Sequence, residues 1–517
     1  MMTSVMDFTR SDQRNLLILT LVAAALRLAI PGQSALSWDE AQRLLWSLDS
    51  SLTLREAAIG HVGAAGHVIM ERALAAITRE PWVLRLQAGV AGVLAVPLLY
   101  QISRRHFSKN ISLIAAWLLC LSPLHLAYSR QAEEYAFAAF FGVLALGLAL
   151  ELARTREVSI NLLSIAALTG VLGFLLGGSF LLPWWLALAT GVLLFGGREL
   201  PPKTRVYLAL SQVPLLIVVV WVSAPWGTQQ GASSYFSEVV GTLVFDSIRF
   251  APAGVLTDLI AQVGVWLWQG TPPMLLELAS YALAALIIAL CVLGHRRLRS
   301  QGGKQAALVA WSVAVAPMLL SLALWARFGE VSLFSRALLP VVPGLLLLVA
   351  AGVMAAPQWL RTIAAGSLGP LILVSSTAIL LGNHPAHPHY FEQAVARLRA
   401  QAAKGEELYV HPGEAAGVFA AAAPDAAAHL QAVAQTGSFT LHAGGTLAHA
   451  LTEQELARWP QWIAARGGCL LSLHPLLRWR DPSGKLAMAL HESHGYQDAA
   501  IGPPVSISCP AAKATGD

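Results

Sequence analysis

Residues 16–41 read LLILTLVAAALRLAIPGQSALSWDEA, an apolar run followed by the acidic pair Asp39-Glu40. A helix needs about 20 apolar residues to cross the hydrocarbon of a bilayer. The run at 16–36 is long enough, so the two carboxylates come where the chain leaves the membrane. Adjacent carboxylates at this place indicate either a catalytic centre at the outer face or a solvated pair in which Asp39 is the N-cap of the next helix.

The composition indicates a polytopic α-helical membrane protein. Of the 517 residues, 56% are hydrophobic and 12% are charged, whereas soluble domains carry about 25% charged residues. Further apolar runs lie at 83–101, 111–128, 135–152, 160–177, 181–196, 206–224, 274–294, 306–326, 334–355 and 362–382. Together with the first run they predict about eleven transmembrane helices. We favour an uncleaved first helix over a signal peptide, because no convincing small-x-small cleavage site precedes Trp38.

Basic residues predict the orientation. Arg10 and Arg14 precede the first run, and every second loop after it is basic. Short cytoplasmic loops are enriched in Lys and Arg, so the N-terminus is expected in the cytoplasm and the C-terminus outside. The net charge of +5 therefore reflects topology, and we expect no nucleic-acid partner.

Two domains are expected. Residues 1–382 are expected to form a transmembrane module with outer loops at 37–82 and 225–273. Apolar residues in the first loop predict an interfacial helix, and those in the second predict an interfacial or a re-entrant helix. Residues 383–517 are expected to form an extracytoplasmic α/β domain. Its predicted elements are helices at 390–402 and 453–466, the latter kinked or split at Pro460, and strands at 408–410, 469–473 and 505–509.

Two cysteines of the tail, Cys469 and Cys509, fall in the compartment that the topology makes oxidising. They form either a disulfide or two buried thiols, since spacing along the chain does not show whether their Cα atoms are close enough.

A polar cluster separates the third and fourth apolar runs. It reads Tyr128-Ser129-Arg130-Gln131-Ala132-Glu133-Glu134-Tyr135. Arg130 offers the planar fork of donors that binds a phosphate, or it pairs with Glu133 or Glu134 in a polar hairpin loop.

Other arginines lie next to or within apolar runs. Arg327 and Arg336 flank the outer ends of the ninth and tenth runs, and Arg27 lies inside the first. A central arginine costs roughly 2.5–3.5 kcal/mol on insertion scales. We therefore expect Arg336 to face a cavity that holds an anionic headgroup, and Arg27 to snorkel or to pair with a carboxylate.

A divalent metal is a further candidate ligand. His61 and His67 share the first outer loop with Asp39 and Glu40, and imidazole and carboxylate groups bind several such ions. The spacing of six between the histidines is not one helical turn, which argues against a shared site.

The order of these elements resembles the GT-C superfamily of membrane glycosyltransferases, in the branch of the protein O-mannosyltransferases and lipid A aminoarabinose transferases. The matching elements are Leu26-Arg27-Leu28, Trp38-Asp39-Glu40-Ala41, Val83-Leu84-Arg85, the Tyr128–Tyr135 cluster and Arg336-Ala337-Leu338-Leu339-Pro340. The prolines expected near His61 are missing, and Glu133 stands where the family usually has Arg.

The resemblance implies an inverting glycosyltransferase in a bacterial cytoplasmic membrane, with a sugar on a polyprenyl phosphate as donor. The acceptor would be a hydroxyl of a lipid, a glycan or a protein. Asp39 would be the general base, Glu40 would orient it or the acceptor, and Arg130, Arg336 and Arg327 would stabilise the leaving phosphate. The residues that would line this site are His61, His67, Glu133, Glu134 and Tyr135.

Other classes remain as alternatives. A transporter or flippase of lipid-linked glycans would explain helices and intramembrane arginines, although no duplicated halves are visible. A scaffold whose tail recruits an envelope partner leaves the ordered Asp39, Arg130 and Arg336 elements unexplained. An oligosaccharide ligase or polymerase is chemically close to the glycosyltransferase.

Overall fold

The chain divides into two compact units. The computed structural model describes residues 9–29, 36–50, 52–60, 63–154, 159–195, 206, 210–223, 273–328, 338–380, 390–411, 416–433, 453–473, 485–502 and 505–510. The first unit comprises Met1–Gly32, Thr53–Ala224 and Phe236–Pro385, and the second comprises Gln33–Leu52, Pro225–Tyr235 and Ala386–Asp517. The second unit therefore includes part of the segment 37–82, which the hydropathy pattern predicts to belong whole to the transmembrane module.

The first unit is built from α-helices in its described part. They are α1 (Arg10–Leu28), α3 (Leu54–Gly60), α4 (Ala65–Ile77), α5 (Pro81–His106), α6 (Lys109–Cys120), α7 (Pro123–Tyr128), α8 (Tyr135–Arg154), α9 (Ile160–Gly177), α10 (Leu181–Phe195), α11 (Val213–Ser223), α12 (Pro273–Arg299), α13 (Gly303–Phe328), α14 (Val342–Ala355) and α15 (Gln358–Leu380). The intervening α2 (Trp38–Leu48) belongs to the second unit.

Within the described residues, α5, α8 and α9 are long and apolar enough to cross a membrane, and α6, α10 and α14 are shorter apolar helices. The segment predicted as one span at 111–128 is not a single helix, because α6 ends at Cys120 and α7 begins at Pro123. Ser122 is the N-cap of α7 and its side chain accepts from the backbone of His125. Pro123 occupies the first turn of α7, where its missing N–H costs nothing, whereas inside a continuous helix it would break the hydrogen bonding.

Glycines allow close approach between helices of the first unit. A Cβ atom on Gly294 of α12 would overlap the carbonyl of Leu348 in α14, and one on Gly352 of α14 would overlap the carbonyl of Leu290 in α12. Such contact between backbones is typical of membrane helix interfaces, where small residues replace hydrophobic side chains.

In α8, the carbonyl of Gly142 accepts a hydrogen bond from the fully buried Trp184 at 3.1 Å.

The second unit contains a five-stranded mixed sheet. Its strands are β1 (Leu408–His411), β2 (Leu430–Ala432), β3 (Cys469–Leu473), β4 (Tyr496–Gly502) and β5 (Val505–Pro510), in the order β2-β1-β3-β5-β4. Strands β1, β2 and β3 run parallel, and β5 pairs antiparallel with β3 and β4. The helices of this unit after α2 are α16 (Tyr390–Ala403), α17 (Ala416–Ala422), a 3₁₀ helix (Pro424–His429), α18 (Glu453–Arg466) and α19 (Lys485–His494).

The sheet brings Cys469 and Cys509 together as a disulfide with a Cα–Cα distance of 4.4 Å. Pro460 lies inside α18 without splitting it. Of the two predicted effects of Pro460, a split helix is wrong and a kink stays a prediction. The predicted helix in the loop 225–273 lies outside the described residues.

Candidate functional site

Asp39 and Glu40 lie in the first turn of α2 and have different environments. The N-cap is Ser37, which corrects the reading of Asp39 as N-cap. Ser37 Oγ accepts from the backbone N–H of Glu40 at 3.2 Å, and Glu40 Oε2 accepts from the backbone N–H of Ser37 at 2.8 Å. This reciprocal pair is a capping box, which satisfies N–H groups at the start of the helix. Glu40 is buried, whereas Asp39 is half-buried.

Arg130 lies at the C-terminal end of α1. Its Nη1 donates to the carbonyl oxygens of Leu26 at 3.0 Å and Ala29 at 3.3 Å. The last carbonyls of a helix have no partner within it and attract a cation. Arg130 also lies within electrostatic range of Arg27 and Arg85. Three arginine side chains therefore lie near one another at this end of α1, and guanidinium groups are donors that can bind an anionic group.

Arg27 is fully buried and holds the α6–α7 turn. Its Nη2 donates to the carbonyl oxygens of Leu119 at 3.3 Å and Cys120 at 3.1 Å and lies 2.7 Å from Nδ1 of His125. The partners of Arg27 in the described part of the chain are carbonyls and an imidazole, so the expected pairing with a carboxylate is wrong. A buried arginine needs several acceptors, and the open end of α6 supplies two of them.

The cluster that follows α7 is packed inside the first unit. Glu133 and Glu134 are fully buried. The rings of Tyr128 and Tyr135 meet edge to face with centroids 5.1 Å apart, and Tyr135 also contacts Phe180 at 5.6 Å. Tyr135 is therefore part of an aromatic cluster at the start of α8, within the first unit.

His67 is buried in α4, between α5 and α8. Its Nε2 lies 3.3 Å from Nε2 of Gln87, and its ring meets that of Phe137 at 6.1 Å. These contacts pack the His67 ring inside the first unit, and its role in lining the site stays a prediction.

Three predicted site residues cannot be placed with their side chains. His61 and Arg336 lie outside the described residues, and Arg327 lies in the last turn of α13 with its side chain outside them. Among the described residues, no group of three or more His, Cys, Asp or Glu side chains is arranged to hold a metal ion.

Two elements of the site were missed by sequence reasoning. Hydropathy predicts His125 to lie inside a span. The Ser122-Pro123 pair marks instead the start of α7, the short helix that positions His125. Ser37 forms the S-x-x-E signature of a capping box with Glu40, and that signal was present in the sequence.

Comparison with known proteins rests on structure. No protein-family model and no curated protein sequence matches the chain. The crystal structure of ArnT from Cupriavidus metallidurans in the apo state is similar with a TM-score of 0.56 at 13% identity, over 98% of this chain and 100% of that one. The same protein bound to undecaprenyl phosphate gives a TM-score of 0.50 at 14% identity, over 98% of each chain.

Similarity at these identities concerns the fold, and it extends over nearly the full length of both chains. It agrees with the motif order seen in the sequence. The chain therefore has the fold of these ArnT structures.

Proposed function

We propose that the chain is an inverting glycosyltransferase that moves a sugar from a polyprenyl-phosphate donor to an acceptor hydroxyl at the outer face of a bacterial cytoplasmic membrane. The observation that carries the proposal is the ArnT-like fold over 98% of the chain, combined with a half-exposed Asp39 in the first turn of α2. A similar structure contains undecaprenyl phosphate, and that ligand supports a lipid-linked donor here.

Asp39 is the proposed general base. Such a group must reach the proton of the attacking hydroxyl, and a partly exposed carboxylate can do so where a buried one cannot. Glu40 accepts the Ser37 N–H in the capping box, so its proposed role is to fix the helix start that presents Asp39.

Arg130 and its neighbour Arg85 are the proposed source of positive charge for the leaving phosphate. Preorganised cations near a developing anion lower the barrier because they need no rearrangement during the reaction. Arg336 and Arg327 remain predictions for the same role. The eleven spans, the 382/383 domain boundary, the outward orientation and a bound metal also remain predictions.

The test uses the purified protein with radiolabelled polyprenyl-phosphate sugars and membrane extract as the source of acceptor. Asp39→Asn removes the base, and general base catalysis contributes about 10²- to 10⁴-fold to the rate. We expect sugar transfer to fall by that factor.

Glu40→Gln is the matched control, because glutamine also forms a capping box. We expect it to retain most of the transfer. Equal transfer by wild type and Asp39→Asn would exclude Asp39 as base, and donor movement across vesicles without transfer would support a flippase instead.

A further inference from the structure

The helix that carries Asp39 packs against the C-terminal part of the chain. Helix α2 contacts α17, although in sequence it lies between α1 and α3 of the first unit. The chain leaves the first unit after α1, contributes α2 to the second unit, and returns before α3.

The contact between the two helices depends on a small residue. A Cβ atom on Gly417 of α17 would lie 3.0 Å from Cδ2 of Leu45 in α2. That separation is tight but ends on a flexible leucine methyl, so one added methyl group is tolerated and a branched side chain is not. Leu45 directly follows the buried Leu44 and lies one turn after the buried Ala41.

Helix α17 is in turn fixed within its unit. Val418 and Phe419 are buried, and the Phe419 ring lies 5.0 Å from that of Phe391 in α16. Helix α16 contacts β1, β4 and β5, and Gln401 of α16 donates to Cys469 Sγ at 3.6 Å. Packed side chains thus run without a break from α2 to the disulfide-bonded sheet.

We infer that α17 positions Asp39, with Gly417 and Leu45 as the positioning residues, so that the C-terminal domain is part of the catalytic apparatus. The inference rests on the proposed function for its kinetic part. A catalytic group must be held within a fraction of an ångström of its productive position, and a misplacement of 1 Å can cost about 10²-fold in rate.

The experiment compares four variants of the full-length protein: Gly417→Leu, Gly417→Ala, the size swap Leu45→Ala with Gly417→Leu, and Ala428→Leu. Ala428 is exposed in the neighbouring 3₁₀ helix, so its replacement controls for a larger side chain in the same unit. The readouts are hydrogen exchange of the α2 amides, kcat, and KM for the donor.

We expect Gly417→Leu to speed exchange in α2 and to lower kcat about 10- to 100-fold with little change in KM. The size swap should recover both properties, and Gly417→Ala and Ala428→Leu should resemble the wild type. Recovery by the swap separates positioning from a general loss of folding.

Unchanged exchange in α2 of Gly417→Leu would overturn the inference, and so would faster exchange with an unchanged kcat. Equal effects of Ala428→Leu would overturn it as well. If the wild type transfers no sugar from any donor, the proposed function fails, and the exchange data alone then decide whether α17 holds α2.

Discussion

Asp39 and Glu40 carry the same functional group one residue apart, and the start of α2 gives them different surroundings. The third helical residue faces back toward the N-cap, so Glu40 accepts the Ser37 N–H and is buried. Asp39 is the second helical residue, lies outside this reciprocal pair and is half-exposed. At the residue scale, the position in the first helical turn distinguishes Asp39, the proposed base, from Glu40, which is part of the capping box.

Arg27 offers a test of the buried polar network. Arg27→Gln removes donors to the carbonyls of Leu119 and Cys120, and each buried acceptor left without a partner costs about 1–3 kcal/mol. We expect a lower unfolding temperature in detergent, measured by thermal scanning. Arg14→Gln, at an exposed position of the same helix, should leave it unchanged, and equal stability of both variants would contradict the assigned role.

Asp12 precedes the predicted first span, and its carboxyl is expected to make the stability of the fold depend on pH. Burial raises the pKa of its carboxyl, but hydrogen bonds from Tyr100 and Thr9 and the charge of Arg104 outweigh burial and hold the pKa well below its ordinary value. Tyr100 Oη donates to Asp12 Oδ1 at 2.6 Å. Because the folded pKa is depressed, this stabilisation is present above the unfolded pKa of about 3.9 and is lost as the pH falls toward the folded value.

Asp12→Asn should therefore lower the unfolding free energy by about 1.5–3 kcal/mol at neutral pH, the contribution of hydrogen bonds to a charged group. The difference from wild type should shrink below pH of about 4. Denaturation at several pH values measures it, with the exposed Asp425→Asn as control. A difference that stays constant into acid would show that the carboxylate charge is not responsible.

At the scale of elements, helix ends and helix contacts follow different rules. The break between α6 and α7 follows from Ser122 and Pro123, so it is predictable from these two adjacent residues alone. The approach of α12 to α14 at Gly294 and Gly352 joins helices that α13 separates in the chain, and the position of a glycine in the sequence does not show which helix it will contact.

Gly294→Leu should disrupt the pairing of α12 and α14, because the new side chain meets the Leu348 backbone, which cannot move aside. Overpacking typically costs about 1–3 kcal/mol, and backbone overlap places this variant at or above the upper end. Gly366→Leu is the matched control, since a Cβ there meets nothing within 4 Å. Folded yield and unfolding temperature in detergent report the difference, and equal loss in both variants would argue against the close approach.

At the scale of the whole molecule, one helix from the N-terminal part of the chain, α2, belongs to the second unit. The segment from Gln33 to Leu52 joins the unit that begins again at Ala386. Hydropathy marks the end of the apolar runs and so predicts a boundary near 383. It carries no signal for the packing of α2 against α17, about 370 residues later in the chain.

The disulfide gives a test of the second unit. Cys469 and Cys509 are 40 residues apart, and a bridge over a loop of that size typically contributes about 2–4 kcal/mol. Replacing both with Ser should speed hydrogen exchange in the sheet, and reducing agent should do the same to the wild type. Cys291→Ser, at a free thiol of α12, should leave the sheet unchanged, and unaltered exchange in the double variant would contradict a structural bridge.

The sequence by itself determined the class of protein, the acidic pair after the first apolar run and the motif order that indicated a GT-C fold. These features are local, since apolar length, breaker residues and caps act over a few neighbours. The tertiary structure decided the partners: Arg27 with the α6 carbonyls and His125, Arg130 with the end of α1, and Gly417 beside Leu45. Those contacts join residues distant along the chain, and which distant groups meet depends on how the helices pack and not on their own periodicity.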